Sequence, residues 1–222
     1  MIRPPVVVLA GMAFEARIAD APAVFGQRGK ALEDALAARL QRPCAGLISF
    51  GVAGGLAPAL QPGAIVVADS VATAGETIPT DVGWSAALLR ALDGASLGQV
   101  AGVDAPLATV AEKSALNAAL GALAADMESH IGARAARQAG VPFAVLRVVT
   151  DAAGSAVPPA ALAGFGADGR TDMRALLANL LAHPLQLGAM LRLGRDSARA
   201  RAALRDARAS LGARFALPEA AV

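Results

Sequence analysis

Two short acidic segments of this chain have the residue types and order that chemistry on a sugar requires. Asp126-Met127-Glu128 sets two carboxylates around a methionine, and Asp151 follows the apolar run 143–150. A carboxylate that accepts hydrogen bonds from two hydroxyls commonly binds a ribose diol, and a methionine side chain can pack against the apolar face of the sugar. Burial at the end of an apolar strand disfavours the charged form of a carboxyl, so we expect Asp151 to donate a proton near neutral pH.

Each carboxylate also has an ordinary structural interpretation. Asp126 could cap the amino terminus of a helix, and Asp151 could do the same for a turn. Glu15 follows the first apolar run, where ligands bind in α/β sheets, but the helix dipole also favours a glutamate in a first turn. Spacing alone favours the structural interpretation for Glu15 and leaves Asp151 evenly divided.

A glycine-rich segment, Gly51-Val52-Ala53-Gly54-Gly55, follows a second apolar run. Glycines just after a strand let backbone amides approach a ligand and donate to an anion. The spacing is that of neither a Walker loop nor a dinucleotide fingerprint, so no cofactor is predicted. By itself, this glycine-rich segment predicts a tight buried turn.

Alternating strands and helices are predicted to position these residues. The strands are short and continuously apolar, as in a sheet covered on both faces; they are predicted at Val6–Ala10, 47–50, 65–68, 100–103 and 143–149. Helices rich in alanine and leucine are predicted at 31–40, 84–92, 112–120 and 127–139, the last ending at Gly140. The alternation indicates a layered α/β fold.

The C-terminal part of the chain is predicted to be a basic, helical extension, residues 171–222, packed on a single domain of residues 1–222. Between Arg170 and Arg214 there are nine arginines and three aspartates. The uncharged run 175–191 is interrupted at His183-Pro184, which predicts two helices and not one membrane span. Its leucines could close the core, form a dimer interface or line a pocket, and its arginines could face solvent or anionic lipid.

Composition excludes several classes of function. Net charge is only +2, and aromatic residues make up 3% of 222 residues, which is too little for a general nucleic-acid binder. Cys44 is the single cysteine, and His130 and His183 lack the spacing of metal ligands. The chain starts without a secretory signal. These features predict a cytoplasmic protein with no metal and no nucleic-acid partner.

Together these segments resemble the nucleoside phosphorylase and nucleosidase superfamily, most closely the bacterial 5′-methylthioadenosine/S-adenosylhomocysteine nucleosidases. The resemblance covers most of the chain as far as Asp151, through residues 11–15, 51–58, 63–69, 126–128 and 141–151. It implies a three-layer α/β/α sandwich with a central mixed sheet, a small nucleoside as ligand and a homodimer.

The resemblance also implies a role for each acidic residue. Asp151 corresponds to the acid that protonates the purine, and Glu15 to the glutamate that activates water. Glu128 corresponds to the glutamate that holds the ribose diol, with Met127 packed against the sugar. Two carboxylates with divided tasks suit an oxocarbenium-like transition state.

Other binding positions bear on the nucleophile and the base. In the glycine-rich segment, the resemblance implies that Val52 and Gly54 bind the substrate. Near the glycines, phosphorylases of the superfamily bind phosphate with arginine and serine, and Ser49 and Val52 stand at those two positions here. Glu15 replaces another phosphate arginine, and a carboxylate repels phosphate. We therefore expect hydrolysis instead of phosphorolysis. The aromatic residue that stacks on the base is missing, and Leu107 would supply the apolar face.

A narrower resemblance concerns the substrate. Residues 15–19 and 126–130, with the tail rich in leucine and arginine, resemble the hopanoid-associated phosphorylases. That resemblance implies removal of adenine from adenosylhopane to leave ribosylhopane, and peripheral contact with the inner membrane face. Three alternatives stay open: cleavage of methylthioadenosine or S-adenosylhomocysteine, phosphorolysis of a purine nucleoside, and a non-catalytic nucleoside or lipid carrier on the same fold.

Overall fold

The computed structural model describes residues 3–163 and 172–219, and strands alternate with helices through most of them. The strands are β1 (Val6–Ala10), β2 (Ala23–Phe25), β3 (Gly46–Gly55), β4 (Ile65–Ala72), β5 (Thr77–Pro79), β6 (Ser96–Gly102), β7 (Ala124–Asp126) and β8 (Phe143–Asp151). The helices are α1 (Ala13–Ala19), α2 (Gly29–Leu40), α3 (Val82–Ala91), α4 (Val110–Leu120), α5 (Ser129–Ala139), α6 (Pro159–Ala163), α7 (Met173–Ala182) and α8 (Leu187–Ser210).

The sheet is mixed, and part of it closes on itself. Its order is β2-β1-β3-β7-β6-β4-β5, and β8 pairs with both β3 and β4. Strands β1, β3 and β8 are parallel, whereas β7 is antiparallel to β3 and β4 is antiparallel to β8. These pairings bring the carboxyl ends of β3 and β8 side by side, with Gly54 opposite Asp151.

Helices cover both faces of the sheet, which confirms the predicted α/β architecture with a central mixed sheet. On one face, α2 and α5 pack through Leu36 and Ile131. On the other, α3 and α8 pack through Trp84, Leu88 and Leu204. Burial of each large apolar side chain stabilises the fold by roughly 1.5–3 kcal/mol, so the two cores hold the sheet rigidly beneath its carboxyl-end edge.

The C-terminal extension is helical, as predicted, and α8 packs on the sheet. Helix α8 lies against β8, and its Ala200, Leu204 and Ala207 are buried. Trp84 Nε1 donates a hydrogen bond to the carbonyl of Phe215 at 2.7 Å, which joins the end of the chain to α3. The predicted first residue of the extension, Thr171, lies outside the described residues. Within the described ranges, no helix has both the length and the apolar character needed to cross a membrane.

One local prediction is wrong, and one helix begins two residues later than predicted. The helix predicted at 127–139 begins at Ser129, because Asp126 ends β7 and its Oδ1 accepts hydrogen bonds from the amides of Glu128 and Ser129 at 2.9 and 2.7 Å. The glycine-rich segment that was predicted to be a turn forms the second half of β3, because Gly51 to Gly54 pair with residues of β8. The three-residue strands β2, β5 and β7 are too short for periodicity to reveal.

Candidate active site

One cavity brings together the residues that the sequence selects. It has a volume of about 150 Å³ and lies beside the carboxyl ends of β3, β7 and β8. Its walls include Glu15, Val52, Gly54, Leu107, Met127, Glu128 and Asp151. A cavity of roughly this size can hold a benzene-sized ring. The positions therefore converge, while the chemical role of each residue remains a prediction.

Glu15 is buried at the third position of α1. Its Oε2 accepts a hydrogen bond from the amide of Met12, and its Oε1 accepts one from the amide of Val52, both at 2.7 Å. Gly51 makes this approach possible, since a Cβ there would overlap the carboxylate. Burial raises the pKa of Glu15, although Arg147 and the amides act to lower it. The carboxylate is consequently a stronger base than an exposed glutamate.

A buried arginine faces three carboxylates of the site. Arg147 on β8 is fully buried, and its Nε lies 2.8 Å from Oδ2 of Asp126. One of its terminal nitrogens lies 3.5 Å from Oε2 of Glu128 and donates to the Ser49 hydroxyl at 2.6 Å. Its field also reaches Glu15. One positive charge thus offsets three buried carboxyl groups, which cannot all be ionised without a cost in free energy.

Of the three carboxyl groups, Glu128 has the fewest hydrogen-bond donors to offset the cost of its burial. Burial raises its pKa to about 7; Asp126 and Glu15 add to the rise, and Arg147 opposes it. Gly11 lies against this side chain, because a Cβ there would be 2.6 Å from Oε1. Glu128 therefore presents carboxylate oxygens to the cavity without the amide donors that engage Asp126 and Glu15.

Asp151 has a cationic partner that sequence reasoning missed. The ammonium of Lys113, on α4, forms an ion pair with Oδ2 of Asp151. The same ammonium donates to the carbonyls of Ala152 at 3.1 Å and Ser155 at 2.8 Å. Lys113 is 1% exposed and lines the cavity. The acid expected from sequence is therefore half of a buried ion pair.

Lys113 and Arg28 are the two basic residues in the lining of the cavity. Arg28 is exposed just before α2 and acts to lower the pKa of Glu128. Neither residue stands in a motif. The one available signal was composition, since the chain has eighteen arginines and only two lysines.

A larger cavity, the apolar chamber, continues from the first. Its volume is about 530 Å³, which is within the range of small-molecule sites, roughly 300–1,000 Å³. The two cavities share Met12, Val52, Thr150, Asp151 and Val157. The chamber adds mostly apolar side chains from α1, α7 and α8, among them Phe14, Leu176, Met190 and Leu193. A compact acidic pocket therefore opens into a wide apolar space.

The fold and the site define an α/β sandwich with an acidic pocket for a small molecule at the strand ends. The chain belongs to the phosphorylase superfamily, whose sequence model matches residues 3–182. This match confirms the superfamily inferred from the sequence resemblance. A comparison with curated protein sequences gives no match.

Several solved structures share the fold. An S-adenosylhomocysteine nucleosidase from Streptococcus pyogenes, in complex with 5-methylthiotubericidin, has a TM-score of 0.65 and 18% identity over 95% of this chain and 98% of that one. A 5′-methylthioadenosine/S-adenosylhomocysteine nucleosidase from Neisseria meningitidis, with methylthio-immucillin-A, has 0.63 and 18% over 92% and 97%. Futalosine hydrolase of Helicobacter pylori has 0.60 and 16% over 68% and 89%. Identities this low establish the fold alone.

Proposed function

We propose that the protein is a nucleosidase that hydrolyses the N-glycosidic bond of an adenine nucleoside with a large hydrophobic 5′ substituent. The proposed reaction is the conversion of adenosylhopane to ribosylhopane and adenine. The continuity of the acidic pocket with the apolar chamber carries the proposal. With the nucleoside in the pocket, the 5′ substituent would extend into the chamber and lose contact with water, which favours binding.

The site residues have distinct tasks in this reaction. Glu128 accepts hydrogen bonds from the two ribose hydroxyls, and Met127 packs against the sugar. Asp151 protonates N7 of the purine, so the bond from C1′ to N9 breaks with its electron pair moving to adenine. Glu15 takes a proton from the water that attacks C1′, a task that its raised pKa favours. Leu107 offers the base an apolar face.

Two features of Glu15 favour water over phosphate as the nucleophile. Its carboxylate would repel a phosphate dianion, and it already occupies the Val52 amide, which could otherwise donate to an anion. We expect adenine release at an unchanged rate when phosphate is omitted. Chromatography of the sugar product distinguishes the reactions, since a strict phosphate requirement with a sugar 1-phosphate product would establish phosphorolysis instead.

The apolar chamber can be tested with a matched pair of leucines. Leu193 lines the chamber, whereas Leu97 on β6 does not line it and is 51% exposed. Leu193→Asp should lower kcat/KM for adenosylhopane at least about tenfold more than for methylthioadenosine, and Leu97→Asp should change neither. Equal losses on the two substrates would show that the chamber does not hold the 5′ substituent.

Cleavage of methylthioadenosine or S-adenosylhomocysteine is the second candidate, because nucleosidases of that name share the fold. The wild-type protein should be assayed with adenosylhopane and methylthioadenosine side by side. A higher kcat/KM for methylthioadenosine would favour this second function.

Exposed apolar side chains support a peripheral contact with anionic lipid as part of the proposal. They lie on α7, on the turn that follows it and on the start of α8: Met173, Leu177, Leu181, Leu185, Leu187 and Leu191. Arginines on α8 lie beside them and suit acidic headgroups. Sedimentation with anionic vesicles, absent with zwitterionic vesicles and lost on replacing Leu181 and Leu185 with serine, is the expected result. We also expect a homodimer, which light scattering would measure.

A further inference from the structure

Lys113 is a buried cation whose contacts are all at the end of β8. Its ammonium has three hydrogens, and three acceptors surround it: Asp151 Oδ2 and the carbonyls of Ala152 and Ser155. A buried ammonium without such partners would be costly. The lysine is therefore held at one oxygen of Asp151 and cannot swing away without losing all three contacts.

The other oxygen of Asp151 meets a hydroxyl that can serve either protonation state of the carboxyl. Thr150 Oγ1 lies 2.7 Å from Asp151 Oδ1 and 3.1 Å from the carbonyl of Ala53. When Asp151 is ionised, the hydroxyl can donate to Oδ1. When Asp151 is protonated, the hydroxyl can turn to the carbonyl of Ala53. The surroundings thus satisfy both states with no movement of heavy atoms.

The chemical type of the cation matters for what it can do. Lysine can release a proton, whereas arginine stays protonated in proteins. The chain contains eighteen arginines and two lysines, and Lys113 is the buried one of the two. The other, Lys30, is exposed on α2 and pairs with Asp34. The cation beside Asp151 is therefore of the type that can give up a proton.

We propose that Lys113 supplies the proton that Asp151 delivers to the leaving purine. The inference rests on the proposed nucleosidase function. Lys113 Nζ transfers a proton to Asp151 Oδ2, and Asp151 transfers a proton to N7 while the bond from C1′ to N9 breaks. Lys113 is left as a neutral amine, and Asp151 remains a carboxylate. Glu15 takes a proton from the attacking water and releases it to solvent, from which Lys113 takes up a proton for the next cycle.

The test compares two leaving groups in Lys113→Arg, Lys113→Met and the surface control Lys30→Met. Adenine must be protonated as it leaves, whereas p-nitrophenolate leaves without a proton. Both Lys113 variants should lose at least about 100-fold in kcat on the adenine nucleoside, the scale of general acid catalysis. Lys113→Arg should hydrolyse p-nitrophenyl riboside within about threefold of wild type, and Lys30→Met should match wild type on both substrates.

Each contrary result has a separate meaning. If Lys113→Arg cleaves the nucleoside as fast as wild type, the positive charge is sufficient and proton supply by Lys113 is refuted. If Lys113→Arg loses both substrates equally, the role is structural and the proposal again fails. If the wild-type protein releases adenine from neither adenosylhopane nor methylthioadenosine, the nucleosidase function itself fails. Activity of wild type on the nucleoside therefore separates the two failures.

Discussion

Glutamine at position 128 should make the protein more stable and much less active. Burial raises the pKa of Glu128 from the ordinary 4.5 to about 7. That difference corresponds to about 3 kcal/mol of unfolding free energy, at about 1.4 kcal/mol per pH unit. Glu128→Gln removes the buried charge while keeping the shape of the side chain. Its free energy of unfolding at pH 8 should exceed that of wild type by up to about 3 kcal/mol.

The direction of the pH dependence follows from the raised pKa. The folded protein holds the Glu128 proton more tightly than the unfolded chain does, so this contribution to stability is full below pH 4.5. It falls as the pH rises and is lost once the pH passes about 7. Urea unfolding of wild type and variant at pH 4.5, 6 and 8 should therefore give curves that differ little at the lowest pH and most at the highest.

Activity should move in the opposite direction. Two ribose hydrogen bonds to a charged acceptor contribute roughly 1.5–3 kcal/mol each, so kcat/KM for adenine release should fall roughly 10²- to 10⁴-fold. The exposed Glu33 on α2 provides the control, since Glu33→Gln should change neither quantity. Equal pH dependence of unfolding in wild type and Glu128→Gln would refute the raised pKa, and retained kcat/KM would remove Glu128 from ribose binding.

Other substitutions test the proposed acid, the packing beside Glu128 and the attachment of the C-terminal segment. Asp151→Asn should reduce adenine release by at least about 100-fold while equilibrium dialysis finds adenine binding nearly unchanged; normal turnover would exclude Asp151 as the acid. Gly11→Ala should raise KM about tenfold or more, because the new Cβ would displace the Glu128 carboxylate. Gly75→Ala, with no atom within 4 Å of the new Cβ, should behave as wild type. Trp84→Phe should lower the free energy of unfolding by roughly 1–3 kcal/mol through loss of the hydrogen bond to Phe215, and an unchanged urea midpoint would contradict that role.

Sequence was sufficient for the parts of the fold in which apolar runs are long. Strands β1 and β8 begin where they were predicted, and β8 extends two residues further to include Asp151. Glu15, Glu128 and Asp151 converge because β1, β7 and β8 all end beside one cavity. Convergence of this kind follows from the general rule that ligands bind beyond strand ends in α/β sheets.

Long-range partners could not be predicted in the same way. Lys113 reaches Asp151 across 38 positions of sequence, from a helix on which no local motif marks it. The extension of β3 through Gly51 depends on pairing with β8, which no local pattern of glycines reveals. Arg147 lies in segment 141–151, which carries part of the resemblance, yet its interactions depend on three carboxyl groups that only the folded chain brings together.

The same arginine network assigns different tasks to carboxyl groups that look equivalent in the sequence. Among the three carboxyl groups, Asp126 has the shortest contact with Arg147. Its other oxygen accepts hydrogen bonds from two amides, so both of its oxygens are engaged by the protein. Glu15 accepts hydrogen bonds from two amides and interacts with the charge of Arg147. Its burial outweighs both and raises its pKa, which makes it a stronger base. Glu128 has only a 3.5 Å contact with the guanidinium, and its pKa is about 7. A ligand that donates two hydroxyls would therefore gain most by binding Glu128, because only there does it supply hydrogen bonds that the protein withholds.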